Sequence, residues 1–331
     1  MDLTNLGKVL ADEPAYRLKQ AKEAVYKNYI SDWSEATFFA KDLRDKLNKE
    51  CPLEVKADVL VSQKEDSVKV RITLKDGLMI EAVLMGHKDG RNTVCVSCQV
   101  GCPLGCAFCA TGKMGFKRNL TVDEILEQVI FFERYCELGA RKVTNVTFMG
   151  MGEPFLNYDN VLSAIRILNN KEFFNISIRS ISVSTAGIIE GIEKFSNEGS
   201  QANLAISLHA PNDELRKSLM PIDKKYPLEN VLEAVDKYIE KTNRKVMFEY
   251  LLIKDVNDSE KHAEELSRLM RKKLYFLNLI LYNKTGSFEP SLTKQVEKFK
   301  AVLSKNKIAF VQRHRFGDDI QAACGQFATN K

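Results

Sequence analysis

A chain of 331 residues, 44% hydrophobic and 28% charged, is long and apolar enough for one substantial core with a small appended module, which excludes overall disorder. No apolar run approaches the ~20 residues that cross a bilayer. The N-terminal stretch MDLTNLGKVLADEPAYRLKQ also lacks a signal peptide's basic start and apolar centre, so a soluble, cytoplasmic protein with no membrane contact is expected. The net charge of +5 leans only weakly toward nucleic acid.

Residues 1–50 read as short helices, with Asp12 as an N-cap, Pro14 early in a helix, and Leu18, Ala21, Val25 and Tyr29 on one face. Nine basic residues balance nine acidic ones there, so RNA affinity in this module requires local patches. Within residues 51–90, alternation through Val68, Val70, Ile72 and Leu74, then Asp76-Gly77, then LMIEAVLM predicts a β-hairpin with a two-residue turn joining the module to the main domain. From residue 91 to 331, strand patterns near 93–97, 143–149, 179–184, 203–208, 245–252, 275–281 and 308–314 alternate with helical ones. The helical patterns fill 121–137, 158–169, 188–197, 228–242, 259–271 and 291–304. Such repeated units predict an α/β fold with a parallel sheet, and six of them suit a partial (β/α)6 barrel, with ligands at the C-terminal strand ends.

Five of the eight cysteines fall in CVSCQVGCPLGCAFC, Cys95 to Cys109. In a reducing compartment clustered thiols are metal ligands or redox groups sooner than a disulfide framework. Cys102, Cys106 and Cys109, spaced C-x3-C-x2-C, put three thiolates on one short loop. Zinc normally closes with four ligands, so a knuckle drawn from Cys95, Cys98, Cys106 and Cys109 is the competing reading. Three cysteines on a four-iron cluster would instead leave one iron open. Cys51, Cys98 and Cys136 read as buried spectators, and Lys113 to Arg118 as a solvated basic loop placed to meet phosphates.

The C-x3-C-x2-C loop, followed by GMGEP (Gly150 to Pro154) after the second strand, resembles the radical S-adenosylmethionine superfamily. The segments CVSCQVGC, GFKRNLTVDEI, FMGMGEP, SVSTAG, AISLHAPND, LMPIDKKY and GDDIQAACGQ, in that order, resemble its adenosine-C2 RNA methyltransferases over nearly the whole chain. The resemblance implies a radical-SAM partial barrel with a [4Fe-4S] cluster on Cys102, Cys106 and Cys109. It further implies that Gly152, Glu153, Ser184, Ser207, Leu208, His209 and Asn283 hold S-adenosylmethionine, of which two are used per turnover.

The implied substrates are large-subunit ribosomal RNA, at the peptidyl transferase centre, and transfer RNA. The implied electron donor is a flavodoxin or ferredoxin, and the enzyme a monomer. Carbon 2 of adenine is electron-poor, and the family attacks it with a radical formed on a methylated cysteine. The motif match puts that methyl on Cys324, the resolving thiol at Cys95 and the proton acceptor at Glu81. A related branch methylates carbon 8; Pro154 and HAPND favour carbon 2. Tyr282-Asn283-Lys284 departs from the Trp-Asn-Pro that many relatives carry. A zinc-dependent RNA-binding module and a radical enzyme acting on a small molecule are the other classes these motifs are weighed against.

Overall fold

The computed structural model describes residues 1–286 and 288–328, and its strands and helices alternate largely as the sequence periodicity predicts. The chain opens with α1 (Leu6–Val9), α2 (Ala15–Tyr26) and α3 (Lys41–Glu50). The predicted cap at Asp12 is not used: Pro14 occupies the N-cap position of α2, where its missing N–H leaves no donor unpaired. Ala21 and Val25 are buried as expected, but Tyr29 lies past the helix with φ 52°, its hydroxyl donating to Glu133 at 3.3 Å.

These helices share one apolar core with the rest of the chain. Trp33 is fully buried and its indole N–H donates to the Cys51 carbonyl at 2.7 Å. Arg134 donates to the Tyr29, Ile30 and Leu53 carbonyls, stitching the connecting turns onto the helix that carries it. Cys51 and Cys136 are buried core thiols, and burial pushes each up to about 11.

The predicted hairpin is a larger element. β1 (Ala57–Val61), β2 (Ser67–Thr73) and β3 (Met79–Gly86) form an antiparallel extension, and β3 pairs antiparallel with β4 (Asn92–Cys95). The β2–β3 loop has three residues, not two. The Leu74 N–H donates to the Leu78 carbonyl, and Gly77, at φ 81°, takes the left-handed position that closes such a turn. After β4 come β5 (Gln99–Gly101), α4 (Ala110–Lys113) and β6 (Phe116–Asn119), a small ribbon that the sequence reading did not foresee.

The repeating units follow: α5 (Val122–Glu137), β7 (Asn145–Phe148), α6 (Tyr158–Asn169), β8 (Ile181–Thr185), α7 (Ile189–Asn197) and β9 (Asn203–Ser207). Then come α8 (Asp213–Leu219), α9 (Leu228–Thr242), β10 (Val246–Leu252), α10 (Glu260–Leu269), β11 (Tyr275–Leu281), α11 (Thr293–Lys305) and β12 (Phe310–Gln312). The sheet order is β1-β2-β3-β4-β7-β8-β9-β10-β11-β12, parallel from β4 onward. This is the expected partial barrel, with all its parallel C-terminal strand ends on one rim.

Arg216 of α8 fixes the loops on that rim. Fully buried, it pairs with Asp223 at 2.6 Å and donates to the carbonyls of Ala186 at 2.7 Å, Tyr226 at 3.3 Å and Ser207 at 3.4 Å. Removing the guanidinium strands a buried carboxylate and several carbonyls, so Arg216→Met should lower unfolding free energy by about 3 to 5 kcal/mol in urea denaturation. Asp223→Asn, which leaves the three carbonyl hydrogen bonds in place, should cost less; equal losses would mean that the ion pair alone carries the effect.

Candidate active site

Strands β7 to β11, or the turns directly after them, deliver side chains to one cavity of about 150 Å³ at their C-terminal ends. Gly152 and Glu153 follow β7, Ser184 lies on β8, Ser207 ends β9 with His209 after it, and Glu249 lies on β10. Cys102, Cys106, Cys109 and Cys324 complete the lining, so nine of the expected site residues meet here: four cysteines, Gly152, Glu153, Ser184, Ser207 and His209.

The two glycines after β7 are fixed by crowding. A Cβ on Gly150 would stand 2.7 Å from the Val96 carbonyl oxygen, and one on Gly152, at φ 103°, would stand 2.5 Å from the Gln99 side chain. The bend they permit turns Glu153 inward. Its carboxylate accepts from the Phe155 N–H at 3.0 Å and the Ala186 N–H at 2.8 Å, and burial pushes its pKa up to about 7. His209, at φ 56°, accepts on Nδ1 from the Leu251 N–H at 3.1 Å, which leaves Nε2 as the ring's donor. Burial holds His209 down to about 3, so the ring is neutral. Phe108 meets it edge to face at 4.8 Å.

The three-thiol loop is built just as locally. Gly101 admits no side chain, because a Cβ would fall 1.8 Å from the Gly115 carbonyl oxygen, and the Cys102 N–H donates to that same oxygen at 3.0 Å. Burial pushes Cys102 up to about 12 and raises Cys106 and Cys109 as well, so holding them as thiolates calls for a cationic metal body. Among the described residues no three Cys, His, Asp or Glu side chains gather tightly enough around a single ion. A four-iron cluster asks for a wider spread, since each thiolate takes its own iron. The four-cysteine knuckle does not assemble: Cys95 lines a different cavity and Cys98 is buried outside both.

That second cavity, about 30 Å³, is shared by Cys95, Cys324, Asn283, Met149 and Arg313. Cys95 ends β4 as expected, and burial pushes it up to about 12. Asn283 donates to the Cys324 carbonyl at 3.2 Å, while its own Oδ1 is buried without a hydrogen-bond partner, an acceptor suited to a ligand's N–H or O–H. Cys324 sits on a segment tied to the thiol loop: Ala110 donates to the Gly325 carbonyl at 2.8 Å, and Thr111 to that of Phe327 at 2.7 Å.

Two expected residues stand apart. Leu208 is buried and lines neither cavity; its N–H donates to the Glu249 carbonyl at 3.0 Å. Glu81 also lines neither. It is fully buried on β3, paired with Lys69 at 2.8 Å, and accepts from the Ala328 N–H at 3.0 Å. Because Val83 pairs with Cys95, Glu81 nonetheless shares the sheet face of Cys95. In the basic loop, Arg118 is engaged by Asp76 and Glu124, leaving Lys117 exposed.

Sequence reasoning missed Glu249 and Arg313. Glu249 is an acid buried in a central strand, held by Asn278 at 2.8 and 3.1 Å, and an acid within VMFEYLL was the available signal. Arg313 offered none, lying in an ordinary basic run.

Residues 96–266 match the family model described as the Radical SAM superfamily. The chain is 45% identical over 316 residues to a probable dual-specificity RNA methyltransferase RlmN of Dictyoglomus thermophilum, covering 95% of this chain and 90% of that protein. To the corresponding protein of Enterococcus faecalis it is 42% identical over 327 residues, covering 96% and 91%. A crystal structure of a radical SAM methyltransferase from Sphaerobacter thermophilus aligns with a TM-score of 0.93 at 40% identity, covering 99% of this chain and 97% of that one. The chain therefore belongs to the radical SAM superfamily and, within it, to the RlmN-type RNA methyltransferases, which work with a [4Fe-4S] cluster and S-adenosylmethionine.

Proposed function

We propose that this enzyme methylates carbon 2 of adenosine in large-subunit ribosomal RNA and in transfer RNA, with Cys324 carrying the methyl group and Cys95 releasing the product. The observation that carries the reading is the small cavity where Cys95 and Cys324 meet beside the three-thiol loop. In this reading Cys102, Cys106 and Cys109 hold the cluster. Gly152, Glu153, Ser184, Ser207, His209 and Asn283 hold S-adenosylmethionine, with Glu153 facing its ammonium group and Leu208 packed behind them. When bound, these groups supply a methyl for Cys324 and the radical that activates it.

The protein's residues do the rest. Methylated Cys324 forms a carbon–carbon bond to the base, which ties the RNA to its sulfur. The adduct gives up the carbon-2 proton to Glu81 and one electron, which the bound iron–sulfur cluster would take back. Cys95 then loses its proton as its sulfur bonds to that of Cys324 and the sulfur–carbon bond breaks; the electron pair goes to carbon, which takes a proton and leaves as methyl. A cellular thiol reduces the disulfide. The enzyme acts as a cytoplasmic monomer supplied by flavodoxin or ferredoxin, and among the described residues no helix is long and apolar enough to cross a membrane. Residues 1–50 place the RNA, and exposed Lys46 and Lys49 on α3 offer phosphate contacts.

Anaerobically reconstituted protein should be brown with roughly four irons per chain, and Cys106→Ala should lose the cluster. Stoichiometric zinc and no iron would sink the reading.

Cys324→Ala should neither accept a methyl nor attach to RNA, whereas Cys95→Ala should accept it, form the adduct and stall. On a denaturing gel the latter should show a slow species that nuclease collapses; methylation by Cys324→Ala would refute the assignment.

Deleting residues 1–50 would open the shared core, so the placing role is tested by charge reversal. Lys46→Glu with Lys49→Glu should weaken RNA binding and flatten its salt slope by about 0.7 to 0.9 for each lost contact, leaving S-adenosylmethionine binding intact. An unchanged slope would assign the module another role.

A further inference from the structure

Arg313 stands where three cavities meet. It directly follows β12, and its N–H donates to the Leu279 carbonyl at 2.8 Å, so the backbone fixes where its side chain starts. It lines the thiol cavity, the Cys95–Cys324 cavity and a third of about 480 Å³, whose walls include Ser62, Lys64, Gln312, His314 and Arg315.

The guanidinium's hydrogen bonds run to sulfur: Nη1 lies 3.4 Å from Met149 Sδ and 3.6 Å from Cys324 Sγ. A fixed cation drawn partly out of water needs an anion to offset its lost hydration. Met149 cannot ionise. Burial keeps the Cys95 thiol and the Glu249 carboxyl toward their neutral forms, and Glu249 is already engaged by Asn278. Of the two sulfurs that the guanidinium contacts, only that of Cys324 is a thiol with a proton to lose.

We propose that Arg313 is the counter-cation of the Cys324 thiolate, and that methylation of Cys324 releases it to an RNA phosphate, making the methylated enzyme the RNA-binding form. This rests on Cys324 being the methyl carrier. In the transfer, a lone pair of the Cys324 sulfur forms the new sulfur–carbon bond while the sulfonium donor's bond to that methyl breaks, its electron pair staying on the departing sulfur. Anion becomes neutral thioether, and the cavity gains one unit of positive charge. The outer cavity, with Lys64, His314 and Arg315 on its walls, is the route by which a phosphate reaches the freed guanidinium. Arg313 is thus a positioning residue that orders the two substrates: an unloaded carrier keeps its cation, and a loaded one offers it to RNA.

The test needs no turnover. A labelled transfer RNA transcript is titrated against the full-length reconstituted protein with Cys324 unmethylated, and against Cys324→Ala, Arg313→Gln and the double variant, over a range of salt. With Arg313 present, Cys324→Ala should tighten binding and steepen the plot of log affinity against log salt by about 0.7 to 0.9, the signature of one added phosphate contact. In the Arg313→Gln background it should change neither. Arg313→Lys, which keeps the charge, should restore the effect, as a merely structural role would not. Equal affinities and slopes for the parent and Cys324→Ala, or a tightening that survives Arg313→Gln, would overturn the proposal. Peptide mass spectrometry after incubation with S-adenosylmethionine alone separates the two failures. No methyl on Cys324 defeats the carrier assignment and this proposal together, whereas a methylated Cys324 with a flat binding cycle defeats this proposal alone.

Discussion

Asp319 accepts a hydrogen bond from the Ser62 hydroxyl at 2.9 Å and another from the Gln63 N–H at 2.7 Å, and the active site depends on this grip. A sheet that stops short of closure leaves β1 and β12 as edges with a gap between them. The segment after β12 crosses that gap. Gly317 lies so close to Ser67 and Ala322 that a Cβ would stand 2.6 Å from the alanine, Lys69 donates to the Gln321 carbonyl at 3.1 Å, and Ala328 donates to Glu81. Cys324 lies between these anchors. The antiparallel strands that looked like a connector are therefore the fixed wall against which Cys324 is held.

Burial alone does not separate working thiols from structural ones. Cys51, Cys95, Cys102 and Cys136 are all pushed upward by desolvation, to about 11 or 12. What differs is the wall. Cys51 and Cys136 are enclosed in the apolar core, Cys102 shares a cavity with two more thiols, and Cys95 faces a sulfur and a guanidinium. Burial keeps Cys95 toward the neutral thiol, the less nucleophilic form.

The six βα units were legible because strands buried on both faces read as runs of Val, Ile and Leu, and the helices between them carry one apolar stripe. β1 was not legible: Val59, Leu60 and Val61 are apolar yet 42%, 49% and 49% exposed, so neither face of that edge strand imposes a pattern. α8 was too short for periodicity to register at seven residues, and the β5–β6 ribbon is set by the Gly101–Gly115 approach, a contact no period encodes. In the site, the spacing of Cys102, Cys106 and Cys109 spoke for itself. Cys95 and Cys324 were found only through motif resemblance, because the chain's topology brings them together. Arg313 reads as one more solvated cation in QRHRFG until β12 is seen to end there.

The polar groups around the cofactor cavity are set so that charge arrives with the ligand. At neutral pH His209, held down to about 3, is a neutral donor whose tautomer is fixed by the Leu251 N–H. Burial raises Glu153 to about 7 and so favours its protonated form. A ligand ammonium beside it reverses that balance, because opposite charge at close range favours the carboxylate that desolvation disfavours. Binding of such a cation would release the proton that burial favours on Glu153. The two backbone N–H donors from Phe155 and Ala186 are already aimed at the carboxylate oxygens, so the charged form needs no rearrangement when it appears. The glycine-permitted bend after β7, which turns Glu153 inward, thus supplies a buried acceptor already fitted with donors for its charged form.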